Sequence, residues 1–293
     1  MHILTYWKET SKALGVLVGH DVIDLASGIS GALGGRLATL DMRGFVEAGP
    51  SLWREVESAV AIATRYPGQP VSSVRLAPPL LPSKIAAIGM NYADHVREQN
   101  GIMPDRPILF AKFPTSVIGP GDEICWDPML SDKIDWEAEL AVVIGRTARR
   151  VPAERAIEYV FGYTIANDVT ARDLQDGDRQ WVRGKSLDTF CPLGPWIVTR
   201  DEIPDPHALA IRCLVNDEIV QDSRTDQLIF RIPVLIEFLS RAFTLLPGDI
   251  ILTGTPPGVG HHRKPPRYLR DGDIVTVEID GIGSMSNRCR VEQ

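Results

Sequence analysis

Glu137 and Glu139 stand one residue apart in the run Asp135-Trp136-Glu137-Ala138-Glu139-Leu140-Ala141-Val142-Val143-Ile144-Gly145. The β-branched, apolar end of that run reads as a strand buried on both faces. Side chains alternate across a strand, so the two carboxylates share one face at close quarters. Mutual repulsion and lost hydration both oppose their ionisation. A divalent cation removes the conflict, and all-oxygen ligands suit Mg²⁺, Mn²⁺ or Ca²⁺ better than zinc. Two glutamates on a solvent-exposed edge would need no ion, and the spacing alone leaves both readings open.

A third carboxylate follows in Tyr163-Thr164-Ile165-Ala166-Asn167-Asp168, a second strand-like run that ends on Asp168. A strand-end aspartate can face a cleft, or it can serve as a turn residue. Just beyond it, Thr170-x-x-Asp173 resembles a helix N-terminal signal. Upstream, His95 and Glu98 are three residues apart, on one face if that stretch is helical. A carboxylate beside an imidazole fixes its tautomer and raises its basicity, as a general base requires. An exposed helical His–Glu pair is the alternative. His261-His262 form a competing pair, but their Gly, Lys and Pro neighbours read as a mobile loop.

Arg172, Gln175 and Lys185 lie on one stretch, 171–186. A lysine near a metal can stabilise a developing enolate or oxyanion. The segment Thr253-Gly254-Thr255-Pro256-Pro257-Gly258-Val259-Gly260 reads as a loop whose amides and Thr255 hydroxyl could hold a substrate carboxylate. No Gly-Lys-Ser/Thr follows it, so a phosphate cradle is disfavoured.

These groups need elements to carry them. Short apolar runs alternate with turn signals from Lys84 onward, and Gly-Asp turns feed strands at Gly121-Asp122-Glu123-Ile124, Gly248-Asp249-Ile250 and Gly272-Asp273-Ile274. Helices are expected at Tyr92–Gln99, Ala153–Tyr159, Thr170–Gln175 and Val234–Ala242. The class is α+β with strands dominant. Residues 1–75 differ: two short strands, Ala13–Val18 and Val22–Leu25, join at Gly19-His20-Asp21 and precede a helix near Leu52–Thr64. The Pro-rich segments Pro67-Gly68-Gln69-Pro70 and Pro78-Pro79-Leu80-Leu81-Pro82 mark a linker. The expected division is a small N-terminal domain (1–75), a linker (76–83) and a larger catalytic domain (84–293).

Composition narrows the function classes. The chain has 293 residues, 44% hydrophobic and 24% charged, enough for a substantial core. A net charge of -7 with mixed signs lacks the basic stripe of a nucleic-acid binder. No apolar run approaches the ~18 residues of a membrane span. The N-terminus reads as lacking a signal peptide. Four scattered cysteines, without a C-x-x-C pair, argue against zinc–thiolate clusters and disulfides, and for a reducing cytosol.

The succession Gly89-Met90-Asn91-Tyr92-Ala93-Asp94-His95, Asp135-Trp136-Glu137-Ala138-Glu139-Leu140, Asn167-Asp168-Val169-Thr170-Ala171-Arg172-Asp173-Leu174-Gln175, Arg183-Gly184-Lys185-Ser186 and Thr253-Gly254-Thr255-Pro256 resembles the fumarylacetoacetate hydrolase family. The resemblance covers about residues 84–293. It implies a mixed β-sandwich roll, a small N-terminal α+β domain and a homodimer. It also implies metal ligands at Glu137, Glu139 and Asp168, a water-activating pair at His95 and Glu98, and Lys185 near the metal. Arg172, Gln175 and Thr255 match substrate-contacting positions, and Asp94 to Arg106 corresponds to a lid.

The expected activity is Mg²⁺- or Mn²⁺-dependent hydrolysis of a C–C bond in a small 2,4-dioxo acid, an acylpyruvate or fumarylacetoacetate type, releasing pyruvate or a similar oxo acid. The alternative is a decarboxylase or isomerase of an oxo acid on the same scaffold, in aromatic or sugar-acid breakdown. A third reading makes the cation purely structural.

Overall fold

The computed structural model describes residues 1–29, 31–63 and 68–292; Thr64 and Pro67, named above, lie outside them. Strands dominate, in two principal sheets. The larger is mixed. In order it runs Gln69–Pro70, Asp21–Asp24, Ser11–Val18, His2–Lys8, Cys191–Thr199, Val160–Asn167, Ala138–Ile144, Ile250–Leu252, Ile85–Gly89 and Ile108–Lys112, with Val117–Ile118 beside Cys191–Thr199. The smaller runs Glu218–Arg224, Ala210–Val215, Ile274–Ile279, Gly283–Val291 and Ile124–Trp126.

The large sheet is covered on both faces, as the apolar run of Ala138–Ile144 predicts. Leu140, Val142 and Ile144 join a core shared with Val275 and Val277 of the smaller sheet and with Leu235 and Leu239 of the helix Ile232–Ala242. Ala141 and Val143 point the other way, into a core with Phe45 and Val56 of the N-terminal segment. The helix Pro50–Ala63 buries Leu52, Val56 and Val60, each four residues apart on one stripe.

The N-terminal segment adds its strands to the edge of this sheet. His2–Lys8, a strand absent from the sequence reading, pairs antiparallel with Cys191–Thr199 through Ile3 and Ile197. The Gly-Asp turns all feed strands, with Gly121, Gly248 and Gly272 at φ between 77° and 85°, where a side chain would be strained. Two local expectations are corrected. Ala153–Tyr159 is a 3-10 helix, because only Ala156 is buried and no apolar stripe holds an α-helix there. Thr170 does not cap Arg172–Gly177: its hydroxyl donates to the Asp168 carbonyl, and the helix has no side-chain cap.

Four strand ends meet at one edge of the large sheet. Ala138–Ile144 runs antiparallel to Val160–Asn167 and to Ile250–Leu252, and the latter is parallel to Ile85–Gly89. The start of the first strand and the ends of the other three therefore converge. Glu137, Asp168, Thr253 and Met90 are the residues that flank them.

Candidate metal centre and active site

Sheet register brings the acidic side chains together. Ala138 pairs with Asn167, and the Asp168 N–H donates to the Glu137 carbonyl at 2.8 Å, so these two residues face each other across the strand pair. Glu139 shares the face of Glu137, as alternation requires. One oxygen from each of Glu137, Glu139 and Asp168 lies within 4.8 Å of the others, and all three residues are buried.

Three cations balance part of this charge. Lys185 Nζ donates to Glu137 Oε2 at 2.7 Å and to Asp168 Oδ2 at 2.8 Å. Arg172 Nη1 lies 2.7 Å from Glu137 Oε1, and Arg172 Nε donates to Asp135 Oδ2 at 2.7 Å. Lys112 is the third, fully buried, with Nζ 2.6 Å from Asp168 Oδ1 but without hydrogen-bond geometry to it. It also reaches the carbonyls of Val169 and Lys185.

Glu139 has no such cation beside it. Among the described residues its side chain accepts one hydrogen bond, from the Gly254 N–H at 2.6 Å. Burial, followed by the charges of Asp168 and Glu137, pushes its carboxyl well above the ordinary range, and Lys185 offsets this only in part. Burial would also raise Glu137, but the Lys185 ammonium and the Arg172 guanidinium outweigh it and hold that pKa low. Lys185 itself loses hydration, yet Asp168 and Glu137 keep its pKa raised.

This set fits a hard divalent cation. All three candidate donors are carboxylate oxygens, Asp168 Oδ1 is buried without a hydrogen bond among the described residues, and Glu139 has only a neutral N–H donor beside two other carboxylates. Glu137, Glu139 and Asp168 are the residues that would hold Mg²⁺ or Mn²⁺.

Glu137 of this trio lines a cavity of about 200 Å³ whose walls also include His95, Gln99, Arg172, Lys185 and Thr255. His95 sits on the helix Ala93–Glu98, and its Nδ1 is 3.0 Å from Glu98 Oε2. Burial would raise Glu98, but its hydrogen bonds to His95 and the Gly258 N–H outweigh that and lower its pKa. An ionised Glu98 accepts a proton-bearing Nδ1, which leaves Nε2 as the basic nitrogen. That nitrogen is covered here by the Gln99 side-chain amide at 2.8 Å.

Gln175 lines the same cavity and accepts from Arg172 Nη1 at 3.0 Å. Thr255 accepts from Gln221 Nε2 at 2.8 Å. Thr255 of the loop 253–260 lines the cavity, while several of the neighbouring amides turn inward. Gly254 donates to Glu139, Gly258 to Glu98, and Gly260 and His261 to Asp135. The loop braces the site's own carboxylates. Gly254 can do so at φ 104°, where an added Cβ would lie 2.9 Å from the Asn91 side chain.

Sequence reasoning missed several groups of the site. Lys112 lies in an unremarked Phe110-Ala111-Lys112-Phe113 stretch, and only the alternation of its strand Ile108–Lys112 hints that it points inward. Asp135, fully buried, anchors Arg172 and the 260–261 amides. His261 and His262, read as part of a mobile loop, border the cavity, and the His262 ring centroid is 5.8 Å from that of His95. Aspartate-anchored amides and a one-turn 3-10 helix, Gly260–His262, hold them there.

Comparison with known proteins agrees with this architecture. Residues 84–290 match the family described as fumarylacetoacetate (FAA) hydrolase C-terminal. "Oxaloacetate tautomerase fahd2, mitochondrial" of Xenopus laevis is 50% identical over 248 residues, 84% of this chain and 77% of that protein. The fumarylacetoacetate hydrolase of psychrophilic Exiguobacterium antarcticum superposes with a TM-score of 0.87 at 37% identity, covering both chains fully. Maleylpyruvate hydrolase of Sphingobium sp. SYK-6, solved with manganese(II) and pyruvate, gives a TM-score of 0.82 at 31% identity, again over both chains. The chain belongs to the fumarylacetoacetate hydrolase family.

Proposed function

We propose that this family member catalyses keto–enol tautomerisation of a small 2-oxo dicarboxylic acid of the oxaloacetate type. The observation that carries the reading is His95, 6% exposed and oriented by Glu98, on the wall of a small cavity shared with Glu137, Arg172 and Lys185. The half-identical tautomerase of Xenopus laevis supports the substrate class.

Glu137, Glu139 and Asp168 would hold Mg²⁺ or Mn²⁺, which when bound supplies Lewis acidity toward the oxygens of a 2-oxo acid. The chain's own residues do the rest. Arg172 Nη2, buried and without a partner among the described residues, is free to donate to a substrate carboxylate, and Gln175 keeps the guanidinium in place. When the Gln99 amide turns aside, His95 Nε2 takes a proton from the substrate's C3. The C–H electron pair becomes the C2=C3 bond, the carbonyl π pair moves onto the 2-oxygen, and a proton taken from solvent water there completes the enol, while the imidazolium returns its own proton to solvent. Lys185 Nζ donates a hydrogen bond to that oxygen as charge develops. In reverse, the imidazolium returns its proton to C3.

Hydrolysis of a 2,4-dioxo acid is the second reading, favoured by the same His95–Glu98 pair and by the maleylpyruvate hydrolase likeness. There His95 deprotonates water, the hydroxide adds to the distal carbonyl, the C3–C4 bond breaks, and the pyruvate enolate is protonated on C3. Loss of CO₂ from an oxo acid would use the same enolate. The discriminating experiment follows decay of oxaloacetate enol and, separately, release of pyruvate from acylpyruvates and oxaloacetate. Enol equilibration without pyruvate supports tautomerisation. Pyruvate from acylpyruvates alone would replace it with hydrolysis, and unchanged rates in His95→Ala would sink both.

We place the enzyme in a reducing compartment, cytosolic in our reading, on its four free thiols. No helix among the described residues is long and apolar enough to cross a membrane. Residues 1–75 are proposed as an accessory unit docked edge-on, and a homodimer is supported by exposed Ile108, Leu109 and Phe113 along a sheet edge.

A further inference from the structure

His262 has no assigned task, yet it borders the cavity beside the base. Its ring stands 5.8 Å from His95 and 5.0 Å from His261, centroid to centroid. His261 is engaged: Nδ1 lies 3.1 Å from the Tyr268 hydroxyl, and Nε2 lies 3.9 Å from Asp176 Oδ2. It meets the His262 ring edge-on, at 75°, and fixes its orientation. Among the described residues, no hydrogen bond reaches either ring nitrogen of His262. Arg172 Nη2, on the same cavity, is likewise without a partner.

Two donors therefore border one small cavity with nothing resident to accept from them. The carboxylates nearby are spent: Glu98 on His95 and Gly258, Asp135 on Arg172 and the loop amides, Asp176 on His261. Arg172 Nη2 is buried and unmet, which is costly, so its complement is an acceptor carried by a ligand, and the half-buried His262 ring borders the same cavity. In a four-carbon 2-oxo dicarboxylic acid, the carbon that His95 deprotonates bears the second carboxylate directly. That group falls beside His95, where the His262 ring stands.

We infer that His262 and Arg172 Nη2 form the subsite for the substrate's second carboxylate, making the enzyme selective for dicarboxylic over monocarboxylic 2-oxo acids. The inference rests on the proposed reading of the site. The test is calorimetric binding of two unreactive probes to the Mg²⁺-loaded full chain: malate, with a distal carboxylate, and lactate, without one. Wild type should bind malate roughly tenfold to hundredfold more tightly than lactate, the range of one or two charge-assisted hydrogen bonds. His262→Leu should reduce that ratio about tenfold, while His262→Gln, which keeps a donor, should retain most of it. Lactate binding by each variant reports that the rest of the site is folded. A malate-to-lactate ratio unchanged in His262→Leu, or near one in wild type, overturns the subsite. A ratio that falls as expected in an enzyme without tautomerase activity would sustain the subsite and overturn the reaction instead.

Discussion

Replacing Glu139 by Gln tests the charge logic of the acidic trio. Glu139 is 1% exposed and has one neutral donor, the Gly254 N–H, against two neighbouring carboxylates. Its folded pKa is raised, while the unfolded chain ionises near 4.5. Between those two values the folded state binds more protons, so stability falls as pH rises, by at most about 1.4 kcal/mol per pH unit. Glu137 has the opposite sign: its lowered pKa gives stability that is lost as pH falls through it. In metal-free protein, Glu139→Gln should flatten the alkaline decline and raise Tm above wild type at pH 8. With Mn²⁺ at a hundred times its Kd, wild type should gain about 2.7 kcal/mol, or about 5 °C for a chain of this size. The mutant should lose most of that gain, because a neutral amide replaces a charged ligand. Scanning calorimetry from pH 6 to 8.5, with chelator or Mn²⁺, measures both effects. An equal Mn²⁺ shift in the two proteins, or an unchanged pH slope, refutes the argument.

Other outcomes follow from the same geometry. His95→Ala should cut turnover by about 10²–10⁴ while keeping the Mn²⁺-induced rise in Tm, which separates loss of the base from loss of the ion. Lys185→Met leaves Glu137 and Asp168 without their shared ammonium and should cost about 3–5 kcal/mol in chelator, partly restored by Mn²⁺ in denaturant titrations. Gly254→Ala places a Cβ against Asn91 at a left-handed φ; a loss of about 1–3 kcal/mol and weaker Mn²⁺ binding are expected by thermal melts and calorimetry. Phe113→Asp, on the exposed sheet edge, should shift the sedimentation coefficient toward that of a single chain.

Much of the site was legible because strand periodicity and spacing are local. Glu137 and Glu139 follow from alternation, and the His95–Glu98 contact from helical spacing. The four-strand convergence that gathers them is not local, and pairing of His2–Lys8 with Cys191–Thr199 joins residues nearly two hundred positions apart, as in His2 with Val198. Lys112 escaped notice because a lysine in an edge strand ordinarily faces water, and here two carbonyls and Asp168 draw it inward. Sequence shows the amides of the 253–260 loop but not that Glu139, Glu98 and Asp135 claim those of Gly254, Gly258 and Gly260. The histidines at 261 and 262 were misjudged for the same reason: Asp135, 125 residues away, holds that loop.

The pairing of Ala138 with Asn167 bears on how this lineage can change length. Adding or deleting one residue within 160–167 would turn Asp168 to the opposite side, away from Glu137 and Glu139, while leaving the ladder itself formable. The connection 145–159 is free of that constraint, since both ends of its span leave the sheet far from the acidic cluster. Length variation among descendants should accumulate there, and a protein that slipped by one position would keep its shape and lose its ion.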